Sequence, residues 1–498
     1  MSYKKHFSTL IRFPLILMAI ILGGLTGCES SDDDGLGYIQ LYNASSNAPD
    51  IYLTVDQYDD DDYDERTHSS ISYSKVSSRL EYETDSYDIE LAWQDEYNDT
   101  DDLETIYETQ LKITKDIVKF IVIAEDIQTP NVLIYDLQVR DDDERDDDND
   151  DDLFNIRFLN MGANSDIIDI YVSESDETFN EAEIVAQSTS YTEMTTNQKM
   201  EQDDYVFYIT AAGSEEILYQ SKEISFAYSS EHIILIRENQ GAGSSPFIID
   251  LVSTSTSTEV PDATSDAEYK IYNGIIEHEL LPSYYGVFDV YIDNIDDSAE
   301  ISSLAFSEMS DSMPINFGDY GISLTNSDTN EPLIENHLFS LSENSDKTIF
   351  FYLLEEDVDE DDDGDVDEDG DGYVDEIEIT LNSLVVDNSQ GKGIYNHNIN
   401  VINLIDDDDF TFVDVYFVLN DEIVETADNS IVVPYITPKT INLLNNTYSV
   451  YIIGNDDSSD IILNSFELTL TEDSKEQFLI LEKDSNSVTG YKALLADQ

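Results

Sequence analysis

One cysteine, six histidines and 22 basic residues in 498 positions set the first limits on this chain. A single Cys28 rules out any disulfide within the chain, so each domain must stand on its apolar core, or on core plus metal. The basic residues face 110 acids, for a net charge of −88. Such a field repels nucleic acid and other polyanions and draws in cations. The histidines (His6, His68, His232, His278, His337 and His397) show no paired metal-ligand spacing, and His278 between Glu277 and Glu279 is not a zincin motif. Gly-x-Ser-x-Gly, P-loop and Rossmann fingerprints are missing as well, so no enzyme is expected. Two paired carboxylates could still cut a glycosidic bond, which keeps a hydrolase as the catalytic alternative, but 110 acids single out no pair.

What is present is a core-forming chain. Apolar residues make up 40% and aromatics 11%, enough for packed interiors despite the charge. The length suits several domains of roughly 100–150 residues. Self-repulsion at this charge density opposes compaction and is screened over roughly 8 Å at physiological salt. A saline or calcium-rich surrounding accounts for the charge, and so does plain solubility of a surface protein.

A tripeptide organises the chain. Asp50-Ile51-Tyr52, Asp169-Ile170-Tyr171, Asp289-Val290-Tyr291 and Asp414-Val415-Tyr416 recur at steps of 119, 120 and 125 residues. Near-constant spacing marks a repeat array. Each copy opens with a short apolar stretch ending at an Asn (Asn43, Asn160, Asn273, Asn403), and a later Tyr begins another strand (Tyr87, Tyr205, Tyr320, Tyr448). Tyr87-Asp88-Ile89-Glu90-Leu91 alternates with the period of a half-buried strand. Further on come a dense apolar run (Phe120–Ala124, Ile233–Ile236, Ile349–Leu354, Phe478–Leu481), a short turn and a last strand. About seven strands per copy without a helix period predict an all-β chain of tandem immunoglobulin-like antiparallel sandwiches. The even spacing assigns the recurring Asn and Tyr to core and turns. Charged and Ser/Thr-rich joins predict flexible linkers and an extended array.

The first residues are read as an address. Lys4, Lys5 and Arg12 precede the apolar Phe13–Leu22, which is too short for the about 20 residues of a membrane span. Leu25-Thr26-Gly27-Cys28 resembles the lipobox of bacterial lipoproteins. That resemblance implies cleavage before Cys28, acylation of its thiol and a membrane anchor, with Glu29 pointing to the outer membrane. The resulting division is signal peptide 1–27, acylated cysteine and tether 28–37, sandwich 38–139, acidic linker 140–152, sandwich 153–253, Ser/Thr linker 254–267, sandwich 268–386, linker 387–396 and sandwich 397–498. The pattern of strand, Asn, turn, Asp-(Ile/Val)-Tyr and Tyr-led strand resembles a bacterial extracytoplasmic module, domain of unknown function 4397. Asn43-Ala44-Ser45-Ser46-Asn47-Ala48-Pro49 comes closest to the turn of that family. The resemblance implies an immunoglobulin-like sandwich at the cell envelope and supplies no activity.

One stretch carries metal chemistry. Asp367, Asp369, Asp371, Gly372, Tyr373, Asp375 and Glu378 stand at positions 1, 3, 5, 6, 7, 9 and 12 of an EF-hand-type Ca2+ loop. Calcium takes six to eight oxygens at about 2.3–2.6 Å. Carboxylates at 1, 3 and 5 converge once Gly372 turns the chain, Tyr373 gives its carbonyl and Glu378 closes the shell. Val374 is expected to pin the loop to apolar structure. Eight residues upstream, Asp359, Asp361, Asp363 and Asp365 begin a second, weaker loop with Gly370 at its closing position, a step similar to thrombospondin type 3 repeats. Flanking strands make this an insertion, 357–378, at a hairpin tip of the third sandwich. The acidic runs 59–62, 146–148 and 406–409 lack Gly and the alternation and read as solvated charge.

The reading is a non-enzymatic envelope lipoprotein with a structural or adhesive role, stiffened by Ca2+. The alternative is a calcium-dependent receptor for a surface polysaccharide or protein, and the third an envelope hydrolase. The expected partners are the membrane, through the lipid, and that polysaccharide or protein ligand, with no nucleic acid.

Overall fold

The computed structural model describes residues 35–58, 64–94, 103–139, 152–165, 167–295, 298–358, 374, 376–389, 391–407, 410, 412–456 and 459–498. Eight sheets pair into four sandwiches, each built on one plan. In sandwich 1 the strands are β1 (Leu36–Asn43), β2 (Tyr52–Gln57), β3 (Arg66–Thr67), β4 (Leu80–Glu83), β5 (Ser86–Trp93), β6 (Glu104–Lys112), β7 (Ile117–Ala124) and β8 (Asn131–Gln138). One sheet runs β4-β1-β7-β8 and the other β3-β2-β5-β6. In sandwich 1 eight strands among the described residues replace the expected seven, because short β3 and β4 carry no clear alternation. The antiparallel expectation also takes a correction: β1 and β7 run parallel, and the counterpart pair is parallel in every copy.

The recurring residues explain why the plan repeats. Each Asp-(Ile/Val)-Tyr centre points inward, with Ile51, Ile170, Val290 and Val415 at most 1% exposed. Each Asn at the end of the first strand is buried and works as a clamp. Its side-chain oxygen accepts the amide two residues on, at 3.0 Å in all four copies. Its Nδ2 donates across to the facing sheet, to the carbonyls of Ile71, Thr189, Leu304 and Val433. Its carbonyl accepts from Ser74, Thr192, Ser307 and Ile436, each in the left-handed region. The later Tyr closes a tyrosine corner: Tyr87, Tyr205, Tyr320 and Tyr448 donate to the carbonyl four residues before. Leaving such a buried group unpaired costs about 1–3 kcal/mol, which ties these residues to packing.

β7 differs from β5 in its pattern. Ile121 and Ile123 enter the core of sandwich 1, while Phe120 and Val122 point the other way into a second cluster. That cluster also contains Leu159, Met161, Ile233, Leu235 and Val252 of sandwich 2. The same holds further along: Phe350 and Tyr352 of sandwich 3 meet Ile402, Phe478 and Ile480 of sandwich 4. A strand buried on both faces reads as a continuous apolar run, and this is what the four dense runs are. Sandwiches 1 and 2 therefore pack sheet against sheet, as do 3 and 4, in place of the expected spaced beads.

The joins are structured too. Ser257–Val260, within the expected Ser/Thr linker, adds a fifth strand beside Phe247–Val252. Between sandwiches 2 and 3, the Asn239 and Asn344 amides hydrogen-bond each other reciprocally. A side chain at Gly243 would overlap Ser265 and Asn344, so only Gly permits this approach. Ahead of sandwich 4, Ile394 and Tyr395 pack against the core of sandwich 1, and Tyr395 stacks on Trp93 at 4.5 Å. Contacts thus run 1–2, 2–3, 3–4 and 4–1, closing a ring. The acidic linker lies outside the described residues except Asp152, and no helix of the described residues is long and apolar enough to cross a membrane.

Candidate functional site

Most of the expected metal site falls outside the described residues. This holds for Asp367, Asp369, Asp371, Tyr373 and Asp375, for Asp359, Asp361, Asp363 and Asp365, and for the expected lipidation residue Cys28. What is described is the stem that carries the insertion. Asp346–Asp357 and Ile377–Asp387 form an antiparallel hairpin with Asp357 opposite Ile377 and Glu356 opposite Glu378. Glu378 is exposed on this stem. Val374 is 39% exposed. Beside the stem, Glu355, Asp357, Asp406, Asp407 and Lys483 line a cavity of 140 Å³. Asp406 and Asp407, read as solvated, are engaged here: Asp406 accepts the Glu355 amide and Asp407 the Tyr491 hydroxyl. Among the described residues no three His, Cys, Asp or Glu side chains converge as ligands for a metal ion.

The seams hold buried polar nodes that the sequence reading missed. Tyr42 of sandwich 1 donates its hydroxyl to Asp250 of sandwich 2, which Arg237 binds through Nε at 2.7 Å. Arg237 also pairs with Glu259 and lies over the Tyr73 ring at 4.9 Å. Burial opposes the Arg237 charge, yet Asp250 more than offsets it and holds the guanidinium above its usual range. Burial pushes the Tyr42 hydroxyl far up, with Asp250 adding to it, so Tyr42 stays a donor. In the second seam Tyr272 donates to Glu482 at 2.8 Å, Ser307 donates to the same carboxylate, and Lys492 pairs with it at 2.9 Å. Burial and then Glu482 push the Tyr272 hydroxyl up. The available signal was the residue before the clamp Asn: Tyr42 and Tyr272 in odd copies, Leu159 and Ile402 in even ones.

Between sandwiches 1, 2 and 4 lies a cleft. A cavity of 910 Å³ is walled by sandwiches 1, 2 and 4 and by the strap around Lys392, and a second of 580 Å³ shares Ser46, Tyr73, Lys392 and Glu476 with it. Glu476 is 8% exposed and accepts the Asn398 amide. Burial pushes its carboxyl up to about 7, with that amide pulling it back. Asn396 donates to Asn442 and Asn442 to Asn398, both at 3.0 Å, giving a ladder of amides along one wall. Lys392 donates to Gln240 at 2.9 Å.

No family model matches the chain, and no curated protein matches it either. Among solved structures it is similar to the Bacillus anthracis TIE protein at 9% identity, over 94% of this chain and 78% of that one, with a TM-score of 0.14. A putative adhesin from Bacteroides ovatus matches at 10% identity over 45% of this chain and 95% of that one, TM-score 0.14. BcpA, the major pilin subunit of Bacillus cereus, matches at 10% over 66% and 99%, TM-score 0.14. Scores this low assign neither fold nor activity, and the all-β architecture rests on the sheets themselves.

Proposed function

We propose that this chain is a non-enzymatic lipoprotein of the bacterial envelope, anchored through Cys28 and serving a structural or adhesive role. One observation carries the reading. Two polar side chains that recur in all four copies, the Asn of the clamp and the Tyr of the corner, fasten backbone. Sequence identity is spent on holding sandwiches and on joining them, which is what a scaffold presenting a surface needs. The hairpin stem of sandwich 3 bears the acidic insertion, and Ca2+ bound there would stiffen that hairpin. The cleft within the ring favours the second reading, a receptor that holds a specific ligand.

The test has two parts. Cells expressing the full chain are labelled with radioactive palmitate and scored for attachment to polysaccharide-coated and protein-coated surfaces, beside cells expressing Cys28→Ser. Label on the wild type only, with attachment that falls in the variant, is the expected result. Unlabelled wild-type protein would overturn the anchor. Release of reducing ends from the polysaccharides by purified protein would overturn the non-enzymatic reading. Calcium is tested on the fragment from residue 29 by calorimetry: saturable binding is expected and should vanish in Asp367→Ala with Asp371→Ala. Weak, salt-sensitive uptake shared by both proteins would reduce the loop to general polyanion behaviour.

A further inference from the structure

The cleft brings basic groups together on a strongly acidic chain. We propose that the cleft between sandwiches 1, 2 and 4 binds a neutral oligosaccharide. This deepens the adhesive reading and rests on it.

Size comes first. The two cavities share lining residues and together extend beyond the range of about 300–1,000 Å³ typical of small-molecule sites, as an elongated ligand of several rings requires. Charge comes second. Across the chain acids outnumber bases 110 to 22, yet the larger cavity sets Arg237, Lys392 and Lys475 among its acids. A polyanion is repelled by the whole molecule, and a polycation would have to sit against Lys392 and Lys475. A neutral ligand escapes both costs.

Hydrogen-bonding chemistry then narrows the class. The ladder Asn396–Asn442–Asn398 offers amides in a row, each with donor and acceptor capacity beyond the bonds it makes within the ladder. Asp50 and Glu476 add acceptors, and Lys392 a donor. A sugar hydroxyl gives one hydrogen bond and receives others, so vicinal hydroxyls match such alternating partners, whereas a peptide backbone wants a sheet edge to pair with. Tyr52 and Tyr73 place aromatic bodies in the same cavity, surfaces on which the apolar face of a pyranose can rest. Gly391 and Gly393 flank Lys392 on the strap and add no side chain of their own.

The chain carries its own reporter. Trp93 is its only tryptophan, stacks on Tyr395 of the strap and precedes Gln94 in the cavity wall. Tryptophan fluorescence of the fragment from residue 29 is titrated with cellotetraose, maltotetraose, xylotetraose and mannotetraose, and with tetra-alanine, each to about 10 mM, above the millimolar limit of weak specific binding. A saturable change is expected with at least one tetraose. It should weaken at least tenfold in Asn442→Ala and in Lys392→Ala and persist in Leu338→Ala, an exposed change on sandwich 3. Equal melting temperatures of the four proteins establish that the exposed substitutions leave the fold intact. No saturable change with any tetraose, binding that both cleft variants retain, or an equal response to tetra-alanine would overturn the proposal. The adhesive reading fails separately, if cells carrying the full chain attach no better than cells lacking it.

Discussion

Between sandwiches 1 and 2 the cation at the polar node is an arginine, 5% exposed and bound to an Asp with no exposure; between 3 and 4 it is a lysine, 29% exposed, on a Glu at 2%. Around these nodes the apolar design is the same: Phe120 with Val122 meets Leu235, and Phe350 with Tyr352 meets Ile480. In both, a Tyr before the clamp Asn reaches across to the carboxylate. The first seam adds further cross-links, including Arg79 to Glu231 at 2.6 Å, Tyr135 to the Thr192 carbonyl and Tyr191 to Glu125. Among the described residues the second has fewer, one of them Tyr435 to the Leu353 carbonyl. A shared apolar face supplies the association. The polar node then sets how much it costs to mispair, since a buried carboxylate without its cation is penalised heavily.

The comparison breaks first if the seams are not equally apolar. Phe120→Ala and Phe350→Ala should each destabilise by about 3–5 kcal/mol in urea unfolding, since each truncates a fully buried ring. A negligible effect at either would mean that the two sheets do not stay together there.

The charge contrast follows. Arg237→Ala strands Asp250 and should cost about 3–5 kcal/mol. Lys492→Ala leaves Glu482 with Tyr272 and Ser307 and should cost about 1–2 kcal/mol. Equal losses would remove the distinction between the seams.

The cleft wall carries a pH signature. The folded-state carboxyl of Glu476 is pushed up to about 7 from an ordinary 4.5, so folding favours its protonated form. The penalty is absent below about pH 4.5, grows as pH rises toward 7, and levels off at about 3 kcal/mol. Thermal melts of Glu476→Gln should lose this part of the pH dependence while keeping the general effect of the acidic surface.

The smallest difference concerns the tyrosines. Tyr42→Phe and Tyr272→Phe each remove one donor from a carboxylate that keeps others, for about 1 kcal/mol apiece.

Much of this plan is written in the residues. The four Asp-(Ile/Val)-Tyr strands, the four Asn and the four later Tyr occupy equivalent places, the first through their buried centres and the others because each satisfies the same backbone groups in its sandwich. The Ile349–Leu354 and Ile377–Leu381 runs lie in the hairpin that carries the acidic insertion. The pairing was harder to see. A run such as Phe120–Ala124 reads equally as the centre of one core or as a strand shared by two, and only the partner face decides. The linkers misled because polarity alone does not distinguish a loose join from an edge strand such as Ser257–Val260. The cleft was illegible for a different reason: Tyr52, Asn442 and Lys392 come from separate sandwiches and a strap, and no spacing along the chain brings them together.

The claim that the sandwiches pair face to face is tested most directly by small-angle X-ray scattering of the fragment from residue 29. A single compact body of this length has a radius of gyration of about 23 Å, and four beads in a row come to about 40 Å. Paired sandwiches closed into a ring predict a value of about 30 Å or less that does not change with salt. A value near 40 Å that falls as salt screens the charge would contradict the seams and restore the string of beads.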